Sequence, residues 1–360
     1  MTAVSDAPPL AVESTPLRTR HVSTYAQLSR RVQESGLLRR RYGYYWTRLV
    51  AVVAAFVLVW VVVVLVGNSW IQLALAAALA VISTQFGFLG HDAAHRQIFA
   101  SHRWNEWTSR VLSALAGLSY GWWISKHNRH HKAPNQEGKD PDIAPGALAF
   151  TPAAAAAKTG LAARLARYQG WFFFPLLTLE GLHLHAKSVQ TVFRRAPLAH
   201  RWVEATFLAA RLGGYLAALV LILPPGKAAA FFGVQMAIFG VLLGGAFAPN
   251  HKGMPIVPAN LKVDFLRRQV LMSRNIRGGL FIDFAMGGLN YQIEHHLFPS
   301  MPRPNLKRAQ AMVRAHCAEQ GVTYTETTLL KSYGIVVRYL NAVGLRARDP
   351  FQCPLVSQYR

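Results

Sequence analysis

Histidine is concentrated in four short segments of this chain. Eight of its 14 histidines lie in HDAAH at 91–95, HNRHH at 127–131, NHKG at 250–253 and QIEHH at 292–296. Residues three or four positions apart share one face of a helix, so each segment presents its imidazoles in one direction. Imidazole binds zinc, copper, iron and nickel. Eight such ligands are too many for one tetrahedral zinc, and they would give each of two metal ions about four nitrogens.

Carboxylates lie close to the same segments, although the chain has only 16 acidic residues. A carboxylate that accepts a hydrogen bond from the other ring nitrogen of a metal-binding histidine fixes the tautomer and orientation of that imidazole. We expect some of the nearby acids to have this role, whereas any one of them alone could be a solvated loop residue. The acids near the histidines are Asp92, Glu137, Asp140, Asp142, Asp283 and Glu294.

The histidine segments belong to a strongly apolar chain. Of its 360 residues, 52% are hydrophobic and 15% are charged. Four apolar runs are long enough to span a bilayer, namely 49–66, 70–90, 203–223 and 228–248. Two shorter runs, 111–124 and 171–182, fit interfacial or re-entrant segments better than spans. The sequence predicts an all-α integral membrane protein with four transmembrane helices in two hairpins and a cytosolic helical cap that holds the His-rich two-metal site.

The distribution of basic residues predicts how the chain is oriented. The formal net charge is +23, and 37 of the 39 Lys and Arg residues lie in 1–48, 91–202 and 251–360. The positive-inside rule therefore puts both termini and all four histidine segments on the cytosolic side of the cell membrane. So basic a chain fits anionic lipid or an acidic partner, and we expect no nucleic acid to bind.

The same map predicts three segments. Residues 1–45 form a cytosolic tail with an interfacial helix around 23–41, residues 46–330 form the membrane domain, and residues 331–360 form a cytosolic tail. Arg211 is a charge inside the third apolar run. A functional role for it stays open, but we favour a side chain that reaches the cytosolic interface beside Glu204.

Three segments resemble the histidine boxes of membrane fatty acid desaturases, in the same order. They are GHDAAHRQIF at 90–99, KHNRHHKAPNQEGKDPD at 126–142 and NYQIEHHLFPSMPRPNL at 290–306. The resemblance covers roughly residues 45–330. It implies a non-haem centre of two iron ions and the O2-dependent removal of two hydrogens from a long acyl chain, carried as acyl-CoA or acyl-lipid. The metal ligands that it implies are His91, His95, His127, His130, His131, His251, His295 and His296.

Two further segments carry a narrower resemblance. LEGLHLH at 179–185 and VVRYLNAVGLRARDPFQCP at 336–354 are similar to actinobacterial acyl-CoA desaturases that depend on NADPH. Asn250 stands beside His251, which matches an extra histidine that some family members have after the last span. His185 is predicted as an accessory ligand or an orienting group. His183 follows Glu180 in an E-x-x-H pattern, but soluble di-iron bundles need two such motifs.

Gln292 departs from the acyl-CoA desaturases of the animal stearoyl type, which resemble this chain but have histidine at the first position of the third box. A glutamine there recurs in front-end desaturases, which insert the double bond toward the carboxyl end. Gln292 could leave one metal a nitrogen short, bind it through oxygen, or orient a ligand. Tyr120, Trp122 and Trp123 precede the second box and are predicted to line an acyl channel or to form an aromatic belt at the membrane surface.

The resemblance also implies that two electrons enter from outside the substrate. The sequence has two cysteines, too few for a four-cysteine iron–sulfur cluster. It shows neither a G-x-G-x-x-G after a strand nor the His-Pro-Gly-Gly segment of a cytochrome b5 domain. It therefore predicts a separate donor, a ferredoxin or an NADPH-dependent reductase, that docks on the basic cytosolic face. Arg129 and Lys132 could attract an anionic head group such as CoA, although for either residue alone we favour an ordinary solvated surface charge.

Two rival functions fit parts of the pattern. A membrane hydroxylase or oxygenase of the same di-iron type would differ in its product, an alcohol instead of an alkene. A metal transporter would carry ionisable groups inside its spans. The apolar runs of this chain carry almost none, so a transporter is disfavoured.

Overall fold

The computed structural model describes residues 17–345, and these residues are mostly helical. The first described helix is α1, Leu17–Glu34, and it is followed by α2, Tyr42–Val66, and α3, Gln72–Ala94. Helix α1 thus begins and ends earlier than the interfacial helix predicted around 23–41, and it ends before a turn in which Gly36 adopts φ +70°. The outer parts of the two predicted tails, 1–16 and 346–360, lie outside the described residues.

Six short helices connect α3 to the third apolar run. They are α4, His102–Leu115; α5, Tyr120–Lys132; α6, Pro152–Ala156; α7, Gly160–Ala166; α8, Gln169–Leu177; and α9, Glu180–Phe193, with a 3₁₀ turn at Pro141–Ile143. Each of the two shorter apolar runs is divided between two of these helices. Gly117, at φ +82°, lies in the break between α4 and α5. Neither run forms one helix long enough to cross a bilayer.

The third apolar run is one continuous helix with an irregular middle. It consists of α10, Arg201–Leu208, a π-helical turn at Ala209–Gly213, and α11, Gly214–Ile222. It is followed by α12, Pro225–His251. By length and composition, α2, α3, the helix Arg201–Ile222 and α12 could each cross a membrane, so the prediction of four such helices is confirmed. Only 11% of the apolar window of α2 is buried within the protein, against 56% for α3, so α2 is an outer helix and α3 an inner one.

The long helices bring their histidine-bearing ends together. Helix α3 packs against α2, α4 and α12 around a core that includes Phe86, Phe88 and Phe239. At the starts of α3 and α12, Lys227 Nζ donates to the backbone oxygen of Asn68 at 3.2 Å and to its Oδ1 at 2.6 Å. Since α3 and α12 both begin near this contact and pack along each other, both end at the opposite side of the molecule, where their histidines lie.

The rest of the chain covers those ends. It contains α13, Phe265–Leu271; β1, Asn275–Arg277; α14, Leu280–Ala285; α15, Gln292–Leu297; α16, Arg303–Glu319; β2, Glu326–Thr328; and α17, Leu329–Gly344. The strands pair in parallel, with Asn275 opposite Glu326. An all-α prediction misses this sheet, because three-residue strands are too short to show an alternating pattern. Helix α17 crosses the predicted boundary at 330 and buries Val336 and Leu340 in a core shared with α8.

Candidate metal centre

The first box lies at the end of α3. His91 is in the last turn of the helix and His95 is the residue that ends it, with ring centroids 4.7 Å apart. Asp92 Oδ1 lies 3.6 Å from His91 Nδ1, and Arg303 Nη2 lies 2.7 Å from Asp92 Oδ2. The Asp92 carboxylate therefore connects the first box to the start of α16, which follows the third box.

The second box lies on α5, and a buried carboxylate fixes the start of that helix. Ser119 Oγ accepts from Trp122 N at 3.2 Å and donates to Glu204 Oε2 at 2.5 Å. Gly121 N donates to Glu204 Oε1 at 3.0 Å. The first N–H groups of a helix have no partners within it and favour an anion. Glu204, from α10, thus holds the helix that carries three histidines, a role that no sequence pattern indicated.

The expected pairing of Arg211 with Glu204 is wrong. Glu204 Oε1 instead accepts from Arg110 Nε at 3.3 Å, and both side chains are buried. Arg211 lies almost two turns further along the same helix and donates through Nε to Leu115 O at 2.8 Å. The carboxylate is satisfied near the start of the helix, beyond the reach of the arginine.

The end of α12 positions His251. Pro249 has no N–H to donate to Gly245 O, and Tyr333 Oη, from α17, donates to that oxygen at 2.9 Å instead. Arg274 Nη2 donates to Pro249 O at 2.5 Å. The last turn of α12 is therefore held by Arg274, the residue before β1, and by Tyr333 of α17. His251 projects from this turn toward the second and third boxes.

The eight histidines form two adjacent groups. In each group, one ligand atom from every side chain lies within 4.8 Å of the others. The larger group is His91, His95, His127, His131 and His295, and the smaller is His130, His251 and His296. The split of five and three differs from the expected four nitrogens each. Consecutive residues of a helix point about 100° apart, so His130 and His131 reach different groups, as do His295 and His296.

The hydrogen bonds of the smaller group show that it suits a cation. Each Nδ1 faces an acceptor: His130 faces Asp140 at 3.1 Å, His251 faces Met272 O at 2.9 Å, and His296 faces Gln269 Oε1 at 2.9 Å. Each Nδ1 therefore carries the proton, which leaves Nε2 as a bare acceptor. His130 Nε2 and His251 Nε2 nevertheless lie 3.3 Å apart, and the buried His296 Nε2 has no hydrogen-bond partner within residues 17–345. Lone pairs that converge in this way fit a bound metal ion.

The larger group has the same character. His95 Nε2 lies 2.8 Å from His127 Nε2, and His295 Nε2 lies 3.2 Å from His131 Nε2. His91 Nε2 is buried and has no hydrogen-bond partner among the described residues. Four histidines of this group lie outside the long helices, and each has a pKa well below the ordinary value of histidine. Burial is the larger cause and the neighbouring imidazoles are the second. These four are His95, His127, His131 and His295. These rings are therefore neutral near pH 7, the form that binds metal.

Two carboxylates make the field at His130 negative. Burial alone would lower its pKa, but Asp142 and Asp140 together raise the pKa of His130 above its ordinary value. Lys126 Nζ lies 2.9 Å from Asp142 Oδ1, and Lys252 Nζ donates to Asp142 O at 2.7 Å. The charge that would favour a proton on His130 equally favours a metal cation at its Nε2.

Gln292 lies beside the smaller group. Its Nε2 donates to His251 Nε2 at 2.9 Å, and Asn250 Nδ2 donates to Gln292 Oε1 at 3.3 Å. Asn250 also donates to Leu289 O at 3.1 Å. The amide of Gln292 therefore lies next to the ligand atoms of this group, at the position where the resemblance would place a further ligand.

Three other predicted residues lie apart from both groups. Glu294 accepts from Asn275 Nδ2 and from Tyr324 Oη, each at 2.7 Å, and burial raises the pKa of Glu294 to about 6. His185 donates through Nδ1 to Gly181 O at 2.7 Å. His183 is exposed and pairs with Glu180 in its own helix at 3.2 Å. Among the described residues, the groups of potential ligands include none of these three.

The aromatic residues before the second box have different surroundings. Trp123 stacks on His127 with ring centroids 4.4 Å apart and meets His91 edge-on at 5.6 Å. Trp122 packs against the core around α3. Tyr120 instead lies under Arg110, whose guanidinium carbon is 4.9 Å from the centroid of the Tyr120 ring. Of the three predicted channel residues, Trp123 is the one whose ring contacts the histidines.

Two residues that hold the histidines escaped the sequence analysis. Gln269 accepts from His296 Nδ1 and donates through Nε2 to His131 O at 2.9 Å, so it connects both groups. Asn135 donates through Nδ2 to His251 O at 3.0 Å, and its backbone N–H donates to Asp140 Oδ2 at 2.7 Å. Neither residue belongs to a recurring spacing. Only the position of Asn135, inside the conspicuous stretch after the second box, hinted at a role.

Residues 68–328 match the Fatty acid desaturase family. The chain is 32% identical over 286 residues to the acyl-lipid (9-3)-desaturase of Physcomitrium patens, which covers 77% of this chain and 54% of that protein. It is 29% identical to the Delta(6)-fatty-acid desaturase fat-3 of Caenorhabditis elegans, over 89% of this chain and 74% of that one. It is 30% identical to fatty acid desaturase 3 of Homo sapiens, over 94% of this chain and 76% of that one. The chain thus spans about half the length of the first relative and about three quarters of the other two.

These matches agree with the resemblance inferred from the boxes, while the narrower likeness to actinobacterial enzymes stays a prediction. The matched residues, 68–328, include all three boxes and His251. Each of the two groups of histidines could hold a metal ion. The chain belongs to the fatty acid desaturase family, as its sequence predicted.

Proposed function

We propose that this protein inserts a double bond into a long acyl chain, carried as acyl-CoA or acyl-lipid, with O2 and two electrons at a non-haem di-iron centre. The observation that carries the proposal is the pair of adjacent groups of histidines, drawn from the ends of α3 and α12 and from α5 and α15, in a chain of the desaturase family. Unactivated methylene groups need a strong oxidant, which two bound irons would supply.

The two groups divide the ligands between the two irons. The first iron would be held by the five imidazoles of the larger group, and the second by the three of the smaller group with Gln292 beside them. The protein's own contribution is to hold these rings neutral and oriented, through acceptors such as Asp140 and Gln269. Trp123 stacks on His127 and would help to exclude water where the acyl chain approaches.

We further propose that the double bond is inserted toward the carboxyl end of the acyl chain. Gln292 supports this regiochemistry, since a glutamine at this position recurs in front-end desaturases. The similarity to a protein named a Delta(6)-fatty-acid desaturase, and to the acyl-lipid 8-desaturase of Rebecca salina at 30% identity, supports it as well.

The remaining parts of the proposal concern the membrane and the electron donor. The four apolar helices would cross the cell membrane with the histidine groups on the cytosolic side, which the distribution of Lys and Arg supports. A ferredoxin or an NADPH-dependent reductase would dock on this basic face and reduce the irons in each cycle.

Expression in a host with defined lipids tests the function. Mass spectrometry of the host acyl chains should find a new double bond, located near the carboxyl end. The variants His91→Ala, His130→Ala and His295→Ala should each abolish the product while the protein remains in the membrane. His183→Ala is the matched control, because this histidine is exposed and outside both groups, and it should keep full activity. A hydroxylated product without an alkene would favour the hydroxylase alternative, and full activity in any box variant would refute the metal assignment.

A further inference from the structure

A cavity lies away from the histidine groups, among the membrane-spanning helices. It has a volume of about 420 Å³ and lies between α2, α4 and the irregular helix Arg201–Ile222. This volume is within the range of about 300–1,000 Å³ of small-molecule sites. Phe56 and Trp60 of α2 and Leu115 of α4 line it, and none of its lining residues is a histidine. The cavity is thus apolar and separate from the metal centre.

Among the described residues, Arg211 is the one charged residue that lines this cavity. Its Nε donates to Leu115 O at 2.8 Å, and its guanidinium carbon lies 5.1 Å from the ring centroid of Tyr215 and 6.0 Å from that of Phe56. Within residues 17–345, no carboxylate lies within 4.0 Å of its nitrogens, since the acid on the same helix, Glu204, is bound to Arg110. An uncompensated cation among membrane helices is costly, so an anion should accompany it.

Tyr215 provides a second hydrogen-bond donor beside Arg211. Tyr215 also lines the cavity and is buried, and its hydroxyl has no hydrogen-bond partner in the described part of the chain. Arg211 and Tyr215 lie in and just after the π-helical turn at Ala209–Gly213. Turns of this kind within α-helices frequently occur at functional sites. The guanidinium of Arg211, which has no carboxylate partner among the described residues, and the adjacent hydroxyl of Tyr215, which has no acceptor there, are together complementary to an oxyanion.

We propose that this cavity binds a single-tailed anionic amphiphile, a free long-chain fatty acid, with its carboxylate at Arg211 and Tyr215 and its tail along the apolar wall. Arg211 is close to the middle of a 22-residue helix, about 15 Å from either end. The phosphate of a bilayer lipid lies outside the hydrocarbon core, which is about 30 Å thick. The depth of Arg211 therefore favours a free carboxylate over a phospholipid headgroup. This site is additional to the metal centre and does not depend on the proposed regiochemistry.

Binding of radiolabelled oleate to the full-length protein, purified in neutral detergent, tests the proposal. Arg211→Gln removes the cation and should weaken oleate binding about tenfold or more, the size expected for one charged hydrogen bond. Gly214→Leu should weaken it as strongly by filling the cavity. Gly214 lines the cavity, and a Cβ there meets nothing within 4 Å, so this variant should fold.

Two controls separate the site from general effects. Gly213→Leu places the same side chain one residue away, also with open space around the Cβ but outside the cavity lining, and should bind oleate normally. His295→Ala should abolish desaturation and keep oleate binding. Stearate should compete with oleate at least tenfold better than stearyl alcohol, which has the same tail without the charge.

Several outcomes would overturn the inference. Equal oleate affinity in wild type, Arg211→Gln and Gly214→Leu would show that the fatty acid binds elsewhere, as would loss of binding in His295→Ala. Equal competition by stearate and stearyl alcohol would remove the role of the charge. Binding of dioleoylphosphatidylglycerol in place of oleate, with the same dependence on Arg211, would refute the assignment to a free carboxylate.

Discussion

Replacing Asp140 by Asn should weaken iron binding while leaving the fold intact. The Asp140 carboxylate is buried and accepts three N–H groups: His130 Nδ1 at 3.1 Å, Asn135 N at 2.7 Å on Oδ2, and Asp142 N at 2.9 Å on Oδ1. An asparagine keeps the shape but offers one acceptor oxygen, and its NH2 group would face one of the two backbone donors. At least one buried N–H then loses its acceptor, which costs about 1–3 kcal/mol of stability.

The larger effect should fall on the metal. The carboxylate fixes the proton of His130 on Nδ1 and its charge favours a cation at Nε2. Loss of such an orienting partner typically lowers metal affinity about 10- to 100-fold. We expect Asp140→Asn to lose iron to a competing chelator at correspondingly lower chelator concentration, and to lose desaturation in parallel.

The assay is iron retained per chain by the purified protein across a chelator titration, measured by elemental mass spectrometry. Asp264→Asn is a matched control, because Asp264 caps α13 by accepting from Arg267 N at 3.0 Å, a role that asparagine fills as well. It should retain iron like the wild type. Wild-type iron affinity in Asp140→Asn would refute the reasoning that this carboxylate orients a ligand.

Three further results are expected. Single cysteines at Asn68 and Pro225 should be labelled from outside the cell, and those at the exposed positions of Lys139 and Lys307 only from inside; external labelling at Lys139 would refute the common cytosolic face. Turnover supported by an added ferredoxin should fall between about 0.01 and 0.1 M salt in neutral detergent, as the Debye length shortens from about 30 to 10 Å, whereas turnover from NADPH alone would show a built-in redox module. Glu204→Gln should lower thermal stability by about 1–3 kcal/mol, because Arg110 loses its buried anion, and an unchanged melting temperature would contradict this role.

The sequence was informative wherever a pattern repeats over many residues. The four spans follow from long apolar runs, and the structure extends each of them by a few residues at one or both ends. The histidine segments come together as the spacing and the charge distribution indicated. His95 and His127, for example, lie in the same group although 32 residues separate them along the chain.

Long-range contacts could not be predicted in this way. Which histidines fall in the same group depends on the rotation of α5 and α15 relative to α3, which no spacing within one segment encodes. Glu204 and Gln269 act across 85 and 27 residues of sequence, through hydrogen bonds that join separate elements of the fold. The prediction that Arg211 pairs with Glu204 was wrong for the same reason. The two residues are close along one helix, but the sequence did not show that Arg110, from another helix, binds Glu204.

The most direct test of this account is the metal content of purified, catalytically active protein, measured as ions per chain by elemental mass spectrometry. Two separate groups of buried imidazoles, one of five and one of three, predict two irons per chain. The variant His296→Ala, which removes a ligand of the smaller group, should retain less than two and be inactive. Active protein with a single zinc and no iron would contradict the di-iron desaturase proposed here.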